Sequence, residues 1–113
     1  MKVLKLKIND KDYSLCYDRE SIKWLEANGF VYEDFVRKPI TYREILWAGL
    51  FVKNHKDVNP NLAIKLMETY AKEHGEGMVN KVVKFANDEY ISFINALLDT
   101  DSEKNEELEI VEQ

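Results

Sequence analysis

A chain of 113 residues, 45% apolar and 33% charged, has the make-up of one small domain with a single hydrophobic core, not of a polyelectrolyte or a membrane protein. Its formal charge is -5, but Asp99–Gln113 holds seven acidic residues against one lysine, which leaves the body to Leu98 at about +1. Such a body offers no clustered basic face for DNA or RNA, and an acidic membrane surface is disfavoured for the same reason.

The single cysteine, Cys16, excludes an intrachain disulfide and favours a reducing, cytoplasmic setting, with the thiol acting as a small buried hydrophobe. The opening MKVLKLKIND alternates lysine with apolar residues and is not a signal peptide. The longest uncharged apolar run, Ile45 to Val52, is far shorter than the roughly 20 residues that span a bilayer. The expectation is a soluble, unexported protein.

In chain order, Leu4, Leu6 and Ile8 alternate with Lys5 and Lys7, and Tyr13, Leu15 and Tyr17 alternate with Ser14 and Cys16. With Asn9, Asp10, Lys11 and Asp12 as a polar connection, the two runs predict an antiparallel hairpin whose apolar face needs cover from later in the chain. Asp18 caps a helix through about Asn28, with Ile22 and Leu25 inward and Asn28-Gly29 as its stop. Phe30, Val31, Tyr32 and Phe35 follow, either in a short helical turn or in an extended packed loop that Pro39 ends.

Thr41 and Glu44 have capping-box spacing, with Ile40 and Ile45 as a staple, so a helix is expected from Tyr42 to about Asn54–Lys56. Asn59-Pro60 opens the next helix, running to about His74 with Ala63, Leu66, Met67 and Tyr70 inward, and Gly75 and Gly77 close it. The last helix, Met78 to Leu98, carries a stripe from Val79, Val82, Val83 and Ala86 through Tyr90, Phe93, Ile94 and Leu97. The resulting fold class is α+β, an N-terminal two-stranded antiparallel hairpin on a bundle of about four helices. It occupies residues 1–98, ahead of an acidic tail at 99–113 that the pattern predicts to be disordered.

No catalytic constellation emerges, and no enzyme is expected. His55 and His74 stand at predicted helix ends as surface groups or dipole partners, and with one thiol there is no zinc spacing. Asp10, Asp12 and Asp18 lack the order of a calcium loop and suit turns and caps. Gly75-Glu76-Gly77 is a helix break without the residues of a phosphate cradle, and Glu103, Glu106 and Glu107 form a solvated charge run. Neither a cofactor nor a metal is predicted.

Binding is the better prospect. The run from Ile45 to Val52 is apolar around the whole helix, so this helix is either central and buried or partly an interface anchored by Trp47 and Phe51. Trp24, Tyr32 and Phe35 pose the same choice. In the tail, Leu108, Ile110 and Val111 amid glutamates are either incidental to a solubilising segment or a motif that folds onto a partner.

Three stretches carry a family resemblance: the hairpin opening Leu6–Tyr13 with the helix Ser21–Glu26, then Tyr42–Leu50, then the Asn59-Pro60 helix. Together, over most of residues 1–98, they resemble the small tail assembly chaperones of siphophages and prophages in Gram-positive bacteria. The resemblance implies a protein of the bacterial host cytoplasm, absent from the mature virion, that coats the tape measure protein while tail tube subunits polymerise around it. It also implies self-association into a homo-oligomer and a longer frameshifted product diverging near Asp99–Gln113. The competing class is a small monomeric adaptor or inhibitor that binds one globular partner; a structural subunit retained in the particle is a third.

Overall fold

The computed structural model describes residues 2–99, and the account of structure is confined to them. The chain runs β1 (Val3–Ile8), β2 (Lys11–Cys16), α1 (Arg19–Ala27), α2 (Asp34–Arg37), α3 (Pro39–Gly49), α4 (Pro60–His74) and α5 (Glu76–Leu98). This is the expected α+β hairpin on helices, with five helices because residues 34–37 make a single turn of their own. The predicted tail, including Leu108 and Ile110, lies outside the described residues.

The hairpin turn is tighter than the polar stretch suggests. Only Asn9 and Asp10 form it, at φ 51° and 66°, and Lys11 and Asp12 already belong to β2. Two successive left-handed residues match the twist of the flanking strands, and Asn and Asp tolerate that region best after glycine. The register Leu4↔Leu15 and Leu6↔Tyr13 puts the apolar residues of both strands on one face, as period two requires.

Helix α1 starts on a reciprocal cap: the Ser21 N–H donates to Asp18 Oδ1 at 3.1 Å and the Asp18 N–H to Ser21 Oγ at 3.3 Å. Partial burial pushes the Asp18 carboxyl up, but the Ser21 N–H, the Lys53 ammonium and the Ser21 hydroxyl outweigh it, and its pKa ends below the ordinary value. Lys53 bridges Asp18 at 3.3 Å and Glu20 at 3.5 Å, tying the start of α1 to the turns that follow α3.

Helix α3 departs from expectation at both ends. It begins at Pro39, not Tyr42, and the Thr41–Glu44 capping box does not form. A proline at the first helical position has its φ already set and lacks only a hydrogen that the helix leaves unbonded, so it starts a helix as well as it ends a segment. At the other end the helix stops at Gly49, short of Asn54, and continues as tight turns through Phe51 and Val52. The cause is Tyr17. Its hydroxyl donates to the Leu46 carbonyl at 2.7 Å, the group a continuing helix would offer to Leu50, and the Leu50 N–H turns to Trp47 O at 3.1 Å.

Asn59 caps α4 by accepting from the Leu62 N–H at 2.8 Å, with Pro60 at the first helical position as predicted. Gly75, at φ 94°, separates α4 from α5. Helix α5 packs on α3 and α4 through Val79, Val82 and Ala86. At the centre of the core lies Trp47, wholly buried, its indole N–H donating to Ala63 O at 2.7 Å and its ring 5.8 Å from Phe51 and 6.0 Å from Tyr70.

Three expectations follow. Trp47→Ala should lower stability by about 3–5 kcal/mol in urea unfolding, since it empties the centre of the core and removes the buried indole hydrogen bond to α4. A Cβ on Gly49 would stand 2.6 Å from the Tyr17 hydroxyl oxygen, so Gly49→Ala should destabilise, and by less in a Tyr17→Phe background than in the native chain. Because the folded pKa of Asp18 is depressed, its stabilisation is complete above the ordinary carboxylate range and lost as pH falls through the folded value; Asp18→Asn should therefore flatten the fall in urea midpoint between pH 7 and about pH 3.

Candidate protein interface

Of the residues singled out for partner binding, Trp47 and Phe51 are inside the domain, at 0% and 1% exposure, which corrects their reading as surface anchors. The all-round apolar run around them is apolar because α3 is central, flanked by α1, α2, α4 and α5. Trp24 is half-buried and lines a shallow groove with Ile45, Ala48, Pro60 and Ile64.

The contiguous exposed apolar surface lies elsewhere, where the loop before α2 meets α5. Phe30, Tyr32, Phe35, Tyr42 and Tyr90 form one aromatic cluster, with Phe30 at 5.0 Å from Tyr90, Tyr32 stacked on Tyr90 at 6.1 Å and Phe35 at 6.0 Å from Tyr42. Offset and edge contacts of this kind hold rings in place without enclosing them. Phe35, Val36 and Ile40 remain 51%, 69% and 72% exposed. Tyr32 joins this patch to Tyr90, Ile91, Ile94 and Asn95 on α5, where a groove of about 310 Å³ opens.

Past Phe93 no described residue of α5 belongs to the core or packs against it, and Leu97 and Leu98 stand 63% and 72% exposed. The predicted inward stripe thus runs off the end of the domain: Val79, Val82 and Ala86 are buried, whereas Leu97 faces water. A signal of this was present in the sequence, since Tyr90–Leu98 has no charged residue in a chain that is 33% charged. An outward face normally carries such residues.

The polar groups at the middle of this surface are phenols and amides, with charged side chains at its edge. The Tyr42 hydroxyl donates to Asn87 Oδ1 at 2.6 Å, and its pKa is pushed up to about 12 by burial and by the neighbouring Tyr32 and Tyr90 phenols. Burial likewise raises Tyr90, with Glu26, Glu33 and Tyr32 adding to it. Asn80, Asn87 and Lys84 edge a second groove beside Tyr32, Phe35 and Val83, with the Lys84 ammonium held by Asp88 at 2.8 Å. The surface can bury apolar side chains and orient them with a few amide and phenol hydrogen bonds.

The titratable groups named in the sequence take structural posts. His55 Nε2 accepts from the Ser14 N–H at 3.0 Å and its ring packs on Tyr13 and Phe51, so it closes the edge of β2 and does not lie free at a helix end. His74 packs on Tyr70 at 4.7 Å. The Cys16 thiol is buried, and its pKa is raised by that burial and by Asp18. Among the described residues no group of three or more His, Cys, Asp or Glu side chains is placed to hold a metal ion.

No curated protein and no solved structure matches this chain. One family model does, described as a domain of unknown function (DUF5055), and it matches residues 1–111, the hairpin, all five helices and most of the acidic segment. On that match the chain belongs to the DUF5055 family.

Proposed function

We propose that this protein is a tail assembly chaperone that binds the tape measure protein of a siphophage or prophage and keeps it soluble during tail morphogenesis. The observation that carries the reading is the uncharged apolar strip from Phe35 and Val36 across Tyr32 to Ile91, Ile94 and Leu97. In a domain with a complete core of its own, Tyr32, Phe35, Val36 and Leu97 have no structural reason to face water, and Ile91 and Ile94 between them are only partly covered. The resemblance of Leu6–Tyr13, Ser21–Glu26 and Tyr42–Leu50 to that chaperone family supplies the identity of the partner.

The mechanism is reversible burial with no bond chemistry. An apolar helical segment laid on the strip removes both surfaces from water, worth roughly 25 cal/mol per Å² before the entropy of association. Shallow open grooves suit many similar segments along one long protein better than one unique epitope. On this reading several copies bind each tape measure protein in the host cytoplasm, self-associate there, meet the tail tube subunit as a second partner and are left out of the finished virion. No helix among the described residues is long and apolar enough to cross a membrane.

The test is co-expression with the longest protein encoded beside this one, reading its soluble fraction and the mass stoichiometry of any complex. Multiple bound copies are expected, with the long protein soluble only in their presence. Phe35→Ser with Leu97→Ser should keep the urea midpoint of the domain and weaken capture by about 2 kcal/mol or more. A long protein that stays soluble and unbound overturns the reading in favour of a small adaptor with one globular partner.

A further inference from the structure

The two edges of the hairpin are treated differently. On β2 the outward backbone groups of Ser14 and Cys16 are taken, the Cys16 N–H by Leu50 O at 3.3 Å, the Ser14 N–H by His55 Nε2 at 3.0 Å, and the Ser14 carbonyl by Asn54 Nδ2 at 3.2 Å, which leaves only Asp12 beside the turn open. Outward-facing Ser14 and Cys16 fix the pattern of the ladder. Leu4, Leu6 and Ile8 then bond to β2, and Val3, Lys5 and Lys7 turn their N–H and C=O groups to the other edge. Among the described residues no hydrogen-bond partner is in place for those groups, and the open row ends where the Asn9 N–H meets the Glu73 carboxylate at 3.1 Å.

This edge has a definite chemistry. Lys5 and Lys7 stand exposed on the outer face, Lys7 with a loose 3.8 Å contact to Asp12. On the inner face Leu4 and Leu6 are only partly covered, whereas Ile8 and Leu15 are fully buried. A strand added here would need acidic residues beside the lysines and apolar ones beside the leucines, in strict alternation.

Run antiparallel, residues 107–112 of the chain offer that pattern with the charges inverted: Glu107-Leu108-Glu109-Ile110-Val111-Glu112 falls against Lys7-Leu6-Lys5-Leu4-Val3-Lys2. We infer that residues 107–112 of this chain dock on the free edge of β1 as a third, antiparallel strand, with Glu107 and Glu109 beside Lys7 and Lys5 and with Leu108 and Ile110 covering Leu6 and Leu4.

Reach allows it. The Lys2 N–H meets Glu89 of α5 at 3.4 Å, and Lys2 shares a groove with Ser92, Phe93 and Ala96, so the end of α5 lies by the start of β1. Nine residues from Leu98 to Glu107 extend to about 30 Å, and six residues of strand to about 20 Å, enough to reach Lys7 and return antiparallel along β1. The family match, running to residue 111, takes in Leu108, Ile110 and Val111. The inference does not depend on the chaperone reading, because its occupant is the chain itself.

Amide hydrogen exchange of the full-length protein, read at Val3, Lys5 and Lys7, tests it. Those amides should exchange about tenfold or more slowly than in Glu107→Lys with Glu109→Lys, and Leu108→Asn with Ile110→Asn should release them while leaving the charge unchanged. Adding Lys5→Glu and Lys7→Glu to the double glutamate variant should restore protection. Identical exchange in wild type and both tail variants overturns the docking, as does a charge swap that restores nothing. Protection that disappears on dilution assigns the edge to a second copy and overturns it equally. Every tail variant leaves the described core residues unchanged, and tryptophan fluorescence, to which the buried Trp47 contributes, reports that the domain remains folded.

Discussion

The hydrogen bond from the Tyr17 hydroxyl to the Leu46 carbonyl sets the geometry on which the other elements depend. It draws a carbonyl out of the central helix, ends α3 at Gly49 and turns the chain so that Leu50, Asn54 and His55 run along the edge of β2. Without that turn the hairpin is a two-stranded ribbon, marginal in water, and the apolar face of Ile8, Tyr13 and Leu15 has no fixed seat. Gly49 is the residue that permits it, since any side chain there meets the same hydroxyl. Burial of that phenol, with Tyr42 and Tyr90 adding to it, raises its pKa well above the usual value, which favours the protonated, donating form.

Much of this was legible in the residues, and what escaped did so for physical reasons. Local signals that act alone were read correctly: Asp18 and Asn59 as caps, Pro60 as a first helical residue, period two in the hairpin. Signals that compete were not. Thr41 offers a capping box and Pro39 a preset φ a few residues earlier, and the proline wins because it costs no hydrogen bond to begin there. The end of α3 depends on a tyrosine 29 positions away in sequence, which no local pattern contains. Trp47 and Phe51 illustrate a different ambiguity. An apolar run around a whole helix is equally the mark of a central helix and of an interface, and only the positions of α1, α4 and α5 decide between them.

The candidate interface was half visible. Tyr32 and Phe35 drew notice as aromatics in an irregular segment, but the α5 residues that complete the surface were read as core because their spacing is that of a buried stripe. Periodicity reports which residues share a face, not how far along the helix there is anything to cover that face. Domain size sets the limit: α5 has 23 residues, and its fully buried positions end at Ala86. Beyond that point the same stripe is only partly covered at Tyr90 and Phe93 and is surface at Leu97, so a core pattern can run out into exposed apolar face without any change in its sequence signature.

The apolar strip and the open edge of β1 would select a partner by different physics. On the proposed reading the strip would take side chains through burial, a force that salt does not screen and that is undemanding of sequence. The edge recognises backbone, which every peptide has, and therefore depends on Lys5 and Lys7 for any selectivity at all. Lysines on an edge strand ordinarily protect it, because the β1 of a second copy would bring like charges side by side. The same two charges that would repel another β1 would attract an alternating acidic segment, so in the proposed docking one pair of residues both guards the edge against copies of itself and defines what is admitted. Screening by salt weakens the second effect and the first together, and the edge should become less selective, rather than simply less sticky, as ionic strength rises.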